Sequence, residues 1–159
     1  MHTEIMHKKM LQGMRALRIA NQNAFLPACK EFDLTFQQFT VLMELAHSPG
    51  LTAGELSDHT CILRTNFAAV ANKLGKRGLI RYEKSTSDRR YNVIRLTDAG
   101  AQLTEDITRW LESRYGCVFD GEPEEVFDVI FRGFEAMERI ALKLEHINME
   151  SSMKTLTEK

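Results

Sequence analysis

The chain has 159 residues, a formal net charge of −1, 43% hydrophobic and 27% charged residues, a make-up ordinary for one soluble globular domain with an appended element. No run approaches the ~18 apolar residues of a membrane span, and the N-terminal MHTEIMHKKM lacks the apolar centre of a secretory signal. Three widely spaced cysteines, Cys29, Cys61 and Cys117, exclude a disulfide framework, so a reducing, cytoplasmic setting is expected.

The first helix is expected from about Glu4 to Ala28, where Met6, Met10, Met14, Leu17 and Ala24 recur at spacings of three to four. Lys8, Arg15 and Arg18 fall largely on another face, and Pro27 is expected to kink or end the helix. Thr35 and Gln38 form a capping box at the start of a second helix, with Leu34 and Phe39 as its hydrophobic staple. Phe39, Leu42, Met43 and Ala46 give it an apolar face, and Ser48-Pro49-Gly50 stops it. The device repeats at Thr52 and Glu55, which open a short third helix over about Ala53 to His59.

A fourth helix follows, with Phe67, Val70, Ala71 and Leu74 as its apolar stripe. Arg64, Thr65, Asn66, Ala69, Asn72, Lys73 and Lys76 make the other faces polar or small, and Gly78 closes the helix in a C′ position. Two alternating runs, 79–82 and 91–96, read as strands of a hairpin whose polar turn carries Asp88, Arg89 and Arg90. Thr97 caps a long fifth helix to about Val118, with Leu103, Ile107, Trp110 and Leu111 along one face. Pro123 suits the first turn of a sixth helix to about Ile147, lined by Val126, Phe127, Ile130, Phe134, Met137, Ala141 and Leu144.

The expected fold is mainly α with a small β-hairpin wing: four helices, two strands and two helices. Residues 33–98 form a winged helix-turn-helix domain, 1–32 and 99–148 a helical dimerisation region, and 149–159 a flexible tail. The terminal stripes would be costly to expose, so the first, fifth and sixth helices are expected to meet a second copy.

Charge is unevenly placed. Between residues 60 and 95 nine cations face two anions, whereas residues 96–159 hold seven cations and fourteen anions. A helix with a small polar face, followed by a basic hairpin, suits duplex DNA: the helix enters the major groove and a tip arginine the minor groove. A localised basic patch steers DNA association even in a near-neutral chain.

Leu34-Thr35, Phe39, Val41-Leu42, Thr52, Glu55-Leu56, Leu74, Gly78-Leu79-Ile80-Arg81, Asp88-Arg89-Arg90 and Leu96-Thr97-Gly100, in this order, resemble the MarR family of bacterial winged-helix transcription regulators. The resemblance covers about residues 5–147. It implies a homodimer on a pseudo-palindromic operator, with half-site centres ~34 Å apart. It assigns base and phosphate contacts to Arg64, Thr65 and Asn66, with Ala69 and Lys73 continuing that DNA-binding face, minor-groove insertion to Arg90, its positioning to Asp88, and a phosphate contact to Arg89. Anionic aromatic effectors bind some members where the dimerisation helices meet the winged domain. Here Arg15 and Arg18 would supply the cations and Phe36 and Phe39 the walls.

Other chemistry is sparse. The five histidines, His2, His7, His47, His59 and His146, form no i, i+4 pair, and no metal or cofactor is expected. No phosphate loop or nucleophilic motif points to an enzyme. Cys61, just before the fourth helix, is the candidate for a thiol-based redox sensor, since a helix N-terminus favours the thiolate. A winged-helix protein-interaction module is the other alternative, but it has no use for an arginine at the wing tip.

Overall fold

The computed structural model describes residues 2–85, 90–118 and 120–157. Its elements are α1 (His2–Glu31), α2 (Phe36–His47), β1 (Leu51–Thr52), α3 (Ala53–His59), α4 (Arg64–Lys76), β2 (Ile80–Lys84), β3 (Asn92–Leu96), α5 (Asp98–Tyr115) and α6 (Glu124–Thr157). Both capping boxes form as expected: Gln38 N donates to Thr35 Oγ1 and Thr35 N to Gln38 Oε1, and Thr52 and Glu55 repeat the exchange. The Glu55 carboxylate accepts from both the Thr52 amide and hydroxyl, which holds its pKa below the usual glutamate range.

Three helices end in the same way. In each, the residue after the C-cap is left-handed and the next amide reaches back five residues. Gly78 (φ +70°) closes α4, with Leu79 N donating to Leu74 O at 3.0 Å. Asp33 (φ +50°) closes α1, with Leu34 N on Cys29 O at 2.8 Å. Cys61 (φ +53°) closes α3, with Ile62 N on Ser57 O at 3.1 Å. These closures set the sharp bends at which α2 and α4 begin.

Pro27 neither ends nor interrupts α1, which runs on to Glu31. A helix-interior proline leaves the carbonyl four residues earlier without its amide donor. That carbonyl belongs to Asn23, and the Tyr115 hydroxyl of α5 donates to it at 3.2 Å. The helix continues because a side chain from another element replaces the missing bond.

The sheet has three antiparallel strands in the order β1-β3-β2, one more than the sequence suggests. Leu51 and Thr52 pair with Ile94 and Val93, and two residues are too few for an alternating pattern to register. In the β2–β3 pair Arg81 stands opposite Arg95, a repulsive placement. Glu83 relieves it, accepting from Arg81 Nε at 2.6 Å and Arg95 Nε at 3.1 Å, and its own pKa is lowered chiefly by the Arg81 hydrogen bond.

Contacts divide the chain into two units, residues 1–117 and 118–159. In the first, the core joins Val41, Leu42 and Leu45 of α2, Leu56 of α3, Phe67, Ala71 and Leu74 of α4, and Ile94 of β3. Ala28 and Cys29 of α1 and Ile107 of α5 belong to the same core, with Leu103, Trp110 and Leu111 packed on it. The stripe of α5, expected to meet a second copy, thus packs in part within the unit: Ile107 is buried, while Leu103, Trp110 and Leu111 are only partly so. The earlier part of α1 is not: Ile5, Leu11, Met14 and Ile19 remain about half exposed. The second unit is dominated by α6, where Ile130, Phe134, Met137 and Ile140 expose 40–47% of their surface. Its backbone stays helical to Thr157, ten residues past the expected end, with no glycine or proline after Gly133 to stop it.

Candidate nucleic-acid interface and aromatic cavity

The fourth helix presents the residues singled out in the sequence. Phe67, Val70, Ala71 and Leu74 are buried, and at 100° per residue this turns Thr65, Ala69, Asn72 and Lys76 directly outward. Asn66, Lys73 and Arg77 lie on the flank nearer α2, and all of these residues are exposed. The N-cap, Leu63, makes no side-chain capping bond and is 70% exposed. The Arg64 and Thr65 amides are therefore left for an outside acceptor, at the end of the helix that favours anions. Arg64 pairs with Asp58 at the end of α3 (3.2 Å), both side chains in solvent, so this contact is weak enough to exchange for a phosphate.

The wing stem is held by the Glu83 clamp and by Ser85 N donating to Tyr91 O at 3.0 Å. Arg90 is exposed where the chain re-enters the stem. Asp88 and Arg89 lie outside the described residues. Behind the wing, α5 is locked to the turn after α4. Thr97 Oγ1 accepts from Gly100 N at 3.1 Å, Thr97 N donates to Leu79 O at 3.0 Å, and the Thr97 hydroxyl donates to Gly78 O. Gly100 is required here, because a Cβ would lie 2.0 Å from Leu79 O.

Cys61 sits differently from its reading in the sequence. It lies before α4 as expected but closes α3, and its thiol faces the Asp58 carbonyl at 3.8 Å, the acceptor end of a helix. Cys29 is in the core, where burial pushes its thiol pKa up. Cys117 is exposed. Among the described residues no group of three or more His, Cys, Asp or Glu side chains is placed to hold a metal, and no helix is long and apolar enough to cross a membrane.

Phe36 and Phe39 stack with centroids 6.3 Å apart and line a cavity of about 330 Å³. Its other walls are Asn21 and Phe25 of α1, Met43 of α2, and Thr60 at the end of α3. His59 Nδ1 and Glu44 Oε1, paired at 2.8 Å, supply its polar rim. Neither Arg15 nor Arg18 lines this space; Arg18 shares a face of α1 with Asn21 and Phe25, one turn nearer the N-terminus. Asn21, Glu44 and His59 escaped the sequence reading because they come from three helices and form no spaced motif. Trp110 packs against Phe32, Tyr115 and the Arg114 guanidinium.

Comparison with known proteins agrees with this architecture. A profile of the MarR family matches residues 32–90, from the end of α1 to the wing. The HTH-type transcriptional regulator FarR of Neisseria gonorrhoeae is 29% identical over 118 residues, 74% of this chain and 81% of FarR. The solved structure of NadR in complex with 4-hydroxyphenylacetate is 26% identical, with a TM-score of 0.70 over 79% of this chain and 89% of NadR. That of the transcriptional repressor CouR bound to a 23-mer DNA duplex is also 26% identical, with a TM-score of 0.63 over the same shares. Helix order, three-stranded wing sheet and these relatives agree: residues 32–90 match the MarR family, and the chain is similar to winged-helix transcription regulators of that family.

Proposed function

We propose that the protein is a homodimeric, sequence-specific DNA-binding repressor that releases its operator on binding a small anionic aromatic compound. The observation that carries the DNA reading is the outward face of α4, polar and small along its length and followed directly by a basic wing. In this reading Arg64, Thr65 and Asn66 meet bases and phosphates of the major groove, and Lys73, on the flank of the helix, meets a phosphate. Arg90 enters the minor groove, with Asp88 and Arg89 beside it. CouR, solved on a duplex, supports the assignment. Arg90→Ala should weaken operator binding by about 1–3 kcal/mol with helicity unchanged; full affinity in that variant would refute it.

Dimerisation follows from apolar surface. The half-exposed stripes of α1 and α6 are each too long to leave in water. Pairing with a second copy covers them and sets two recognition helices one helical turn apart. Sedimentation at micromolar concentration should give twice the 18.2 kDa chain mass.

For the effector, the aromatic cavity has the size and composition of a small-molecule site. Phe25, Phe36 and Phe39 offer ring contacts, the His59–Glu44 pair offers hydrogen bonds to a phenol, and Arg18 stands one turn away to meet a carboxylate. The structure of NadR with 4-hydroxyphenylacetate supports this ligand class. Because His59 and Thr60 immediately precede the turn into α4, an occupant there favours one placement of the recognition helix over another. Titration with 4-hydroxyphenylacetate should raise the melting temperature and release DNA over the same concentration range. If millimolar ligand changes neither, the effector reading fails.

A further inference from the structure

A second cavity, of about 430 Å³, lies on the flank of α4 that faces the start of α2, and it shares no residue with the aromatic one. Lys73, Lys76 and Arg77 line it together with Asp33, Thr35 and Gln38, over a floor of Leu34. Three cations thus converge on one concave surface against a single carboxylate. Among the described residues none of the three is within ion-pair distance of an acid. The nearby Asp33 meets Arg77 through its main chain: Arg77 Nη1 donates to Asp33 O at 2.6 Å. That bond fixes the guanidinium across the left-handed closure of α1 and leaves its remaining N–H groups to the cavity.

The wall contributed by α2 adds a neutral donor. Gln38 is only 6% exposed, and its Oε1 is taken by the Thr35 amide. Its NH₂ group makes no hydrogen bond among the described residues. A carboxamide whose unpaired NH₂ remains open to solvent, beside three unneutralised cations, is a site complementary to an anion with several acceptor oxygens.

We propose that this cavity seats a backbone phosphate of the bound duplex. The inference rests on the DNA-binding reading and adds to it an anchor beside the groove. A helix 10–12 Å across fills a major groove about 12 Å wide, so the flank of an inserted helix abuts a phosphate row. The cavity occupies that flank, next to the outward face of Thr65, Ala69 and Asn72, with Lys76 at the border between the two. Lys73 and Lys76 hold the phosphate by charge, Gln38 by hydrogen bonding, and Arg77 fixes the α1–α2 corner against the end of α4. Register on the duplex is set here, while bases are read at the start of α4.

The test is a salt titration of DNA binding by the full-length protein, using a duplex obtained by unbiased selection and a scrambled one. Lys73→Gln/Lys76→Gln leaves Arg77, with its structural bond, in place. The double variant should flatten the slope of log K against log salt by about one to two. It should weaken both duplexes alike, so their affinity ratio is unchanged. A neutral methylphosphonate at one phosphate bordering the α4 groove should reproduce the loss in the wild-type protein and add little in the variant. If the wild type is selective but the variant keeps the same slope, the proposal is overturned and the DNA reading stands. If the wild type prefers no duplex, both fall. Inorganic pyrophosphate supplies the remaining arm. Should it raise the melting temperature of the wild type but not of the variant while the DNA slope is unchanged, the site serves a free anion and the proposal is overturned.

Discussion

Replacing Gly100 by alanine tests the joint that fixes α5 against the recognition helix. The added Cβ would meet Leu79 O at 2.0 Å, Leu79 C at 3.0 Å and Leu96 Cδ2 at 3.3 Å. Ordinary contact needs ~3.5 Å, and the obstacle is main chain, so α5 must retreat by more than 1 Å from the turn after α4. Overpacking of this kind costs about 1–3 kcal/mol. The retreat also strains the bond from Thr97 N to Leu79 O, worth ~1 kcal/mol. The helix-propensity gain of alanine returns ~0.5–1 kcal/mol. The net loss is about 2 kcal/mol, or about 4–8 °C in Tm for a chain of this size. Gly75→Ala is the control: it lies inside α4, and a Cβ there meets nothing within 4 Å. It should raise Tm by about 1–4 °C, following ~0.5–1 kcal/mol. Calorimetry or circular dichroism melts decide the matter. A Gly100→Ala protein that melts with or above the wild type would refute the steric argument.

Three further outcomes follow from the local chemistry. Tyr115→Phe should destabilise by about 0.5–1.5 kcal/mol, read by urea unfolding, because the Asn23 carbonyl orphaned by Pro27 loses its donor; an unchanged midpoint would show that water replaces it at no cost. Cys61→Gly should stabilise by about 0.5–1 kcal/mol through relief of the left-handed backbone at φ +53°, whereas a lower Tm would mean the cysteine is needed for packing. Glu55, its pKa depressed by the Thr52 bonds, contributes stability that is full above about pH 4.3 and is lost as pH falls through the lower folded value. Glu55→Gln should therefore be less stable than wild type near neutrality and converge with it at acid pH; parallel Tm curves from pH 3 to 7 would contradict this.

Local chemistry written in neighbouring residues was legible. Thr35 with Gln38, Thr52 with Glu55, Thr97 and Gly78 each announce a helix boundary through bonds made within five positions. The stripe of α4 likewise separates core from exposed face. What stayed hidden depends on distant partners. Pro27 reads as a helix end until Tyr115, 88 positions later, supplies its missing bond. Asp33 and Cys61 close helices in a conformation that usually signals glycine, so neither stood out. Phe36 and Phe39 were readable as a wall, but Asn21 and the His59–Glu44 pair reach the same cavity from separate helices. Arg15 and Arg18, matched by charge alone, fall outside it.

In the proposed function a dimer reads duplex DNA through α4 and the wing. Its most direct test is unbiased selection from random duplexes, followed by anisotropy titration of the selected and scrambled sequences at one fixed salt concentration. The expected outcome is an inverted repeat with half-site centres about 10 base pairs apart and a preference of about 10³-fold or more over scrambled DNA. Equal affinity for selected and scrambled duplexes, or no enriched sequence at all, would contradict it.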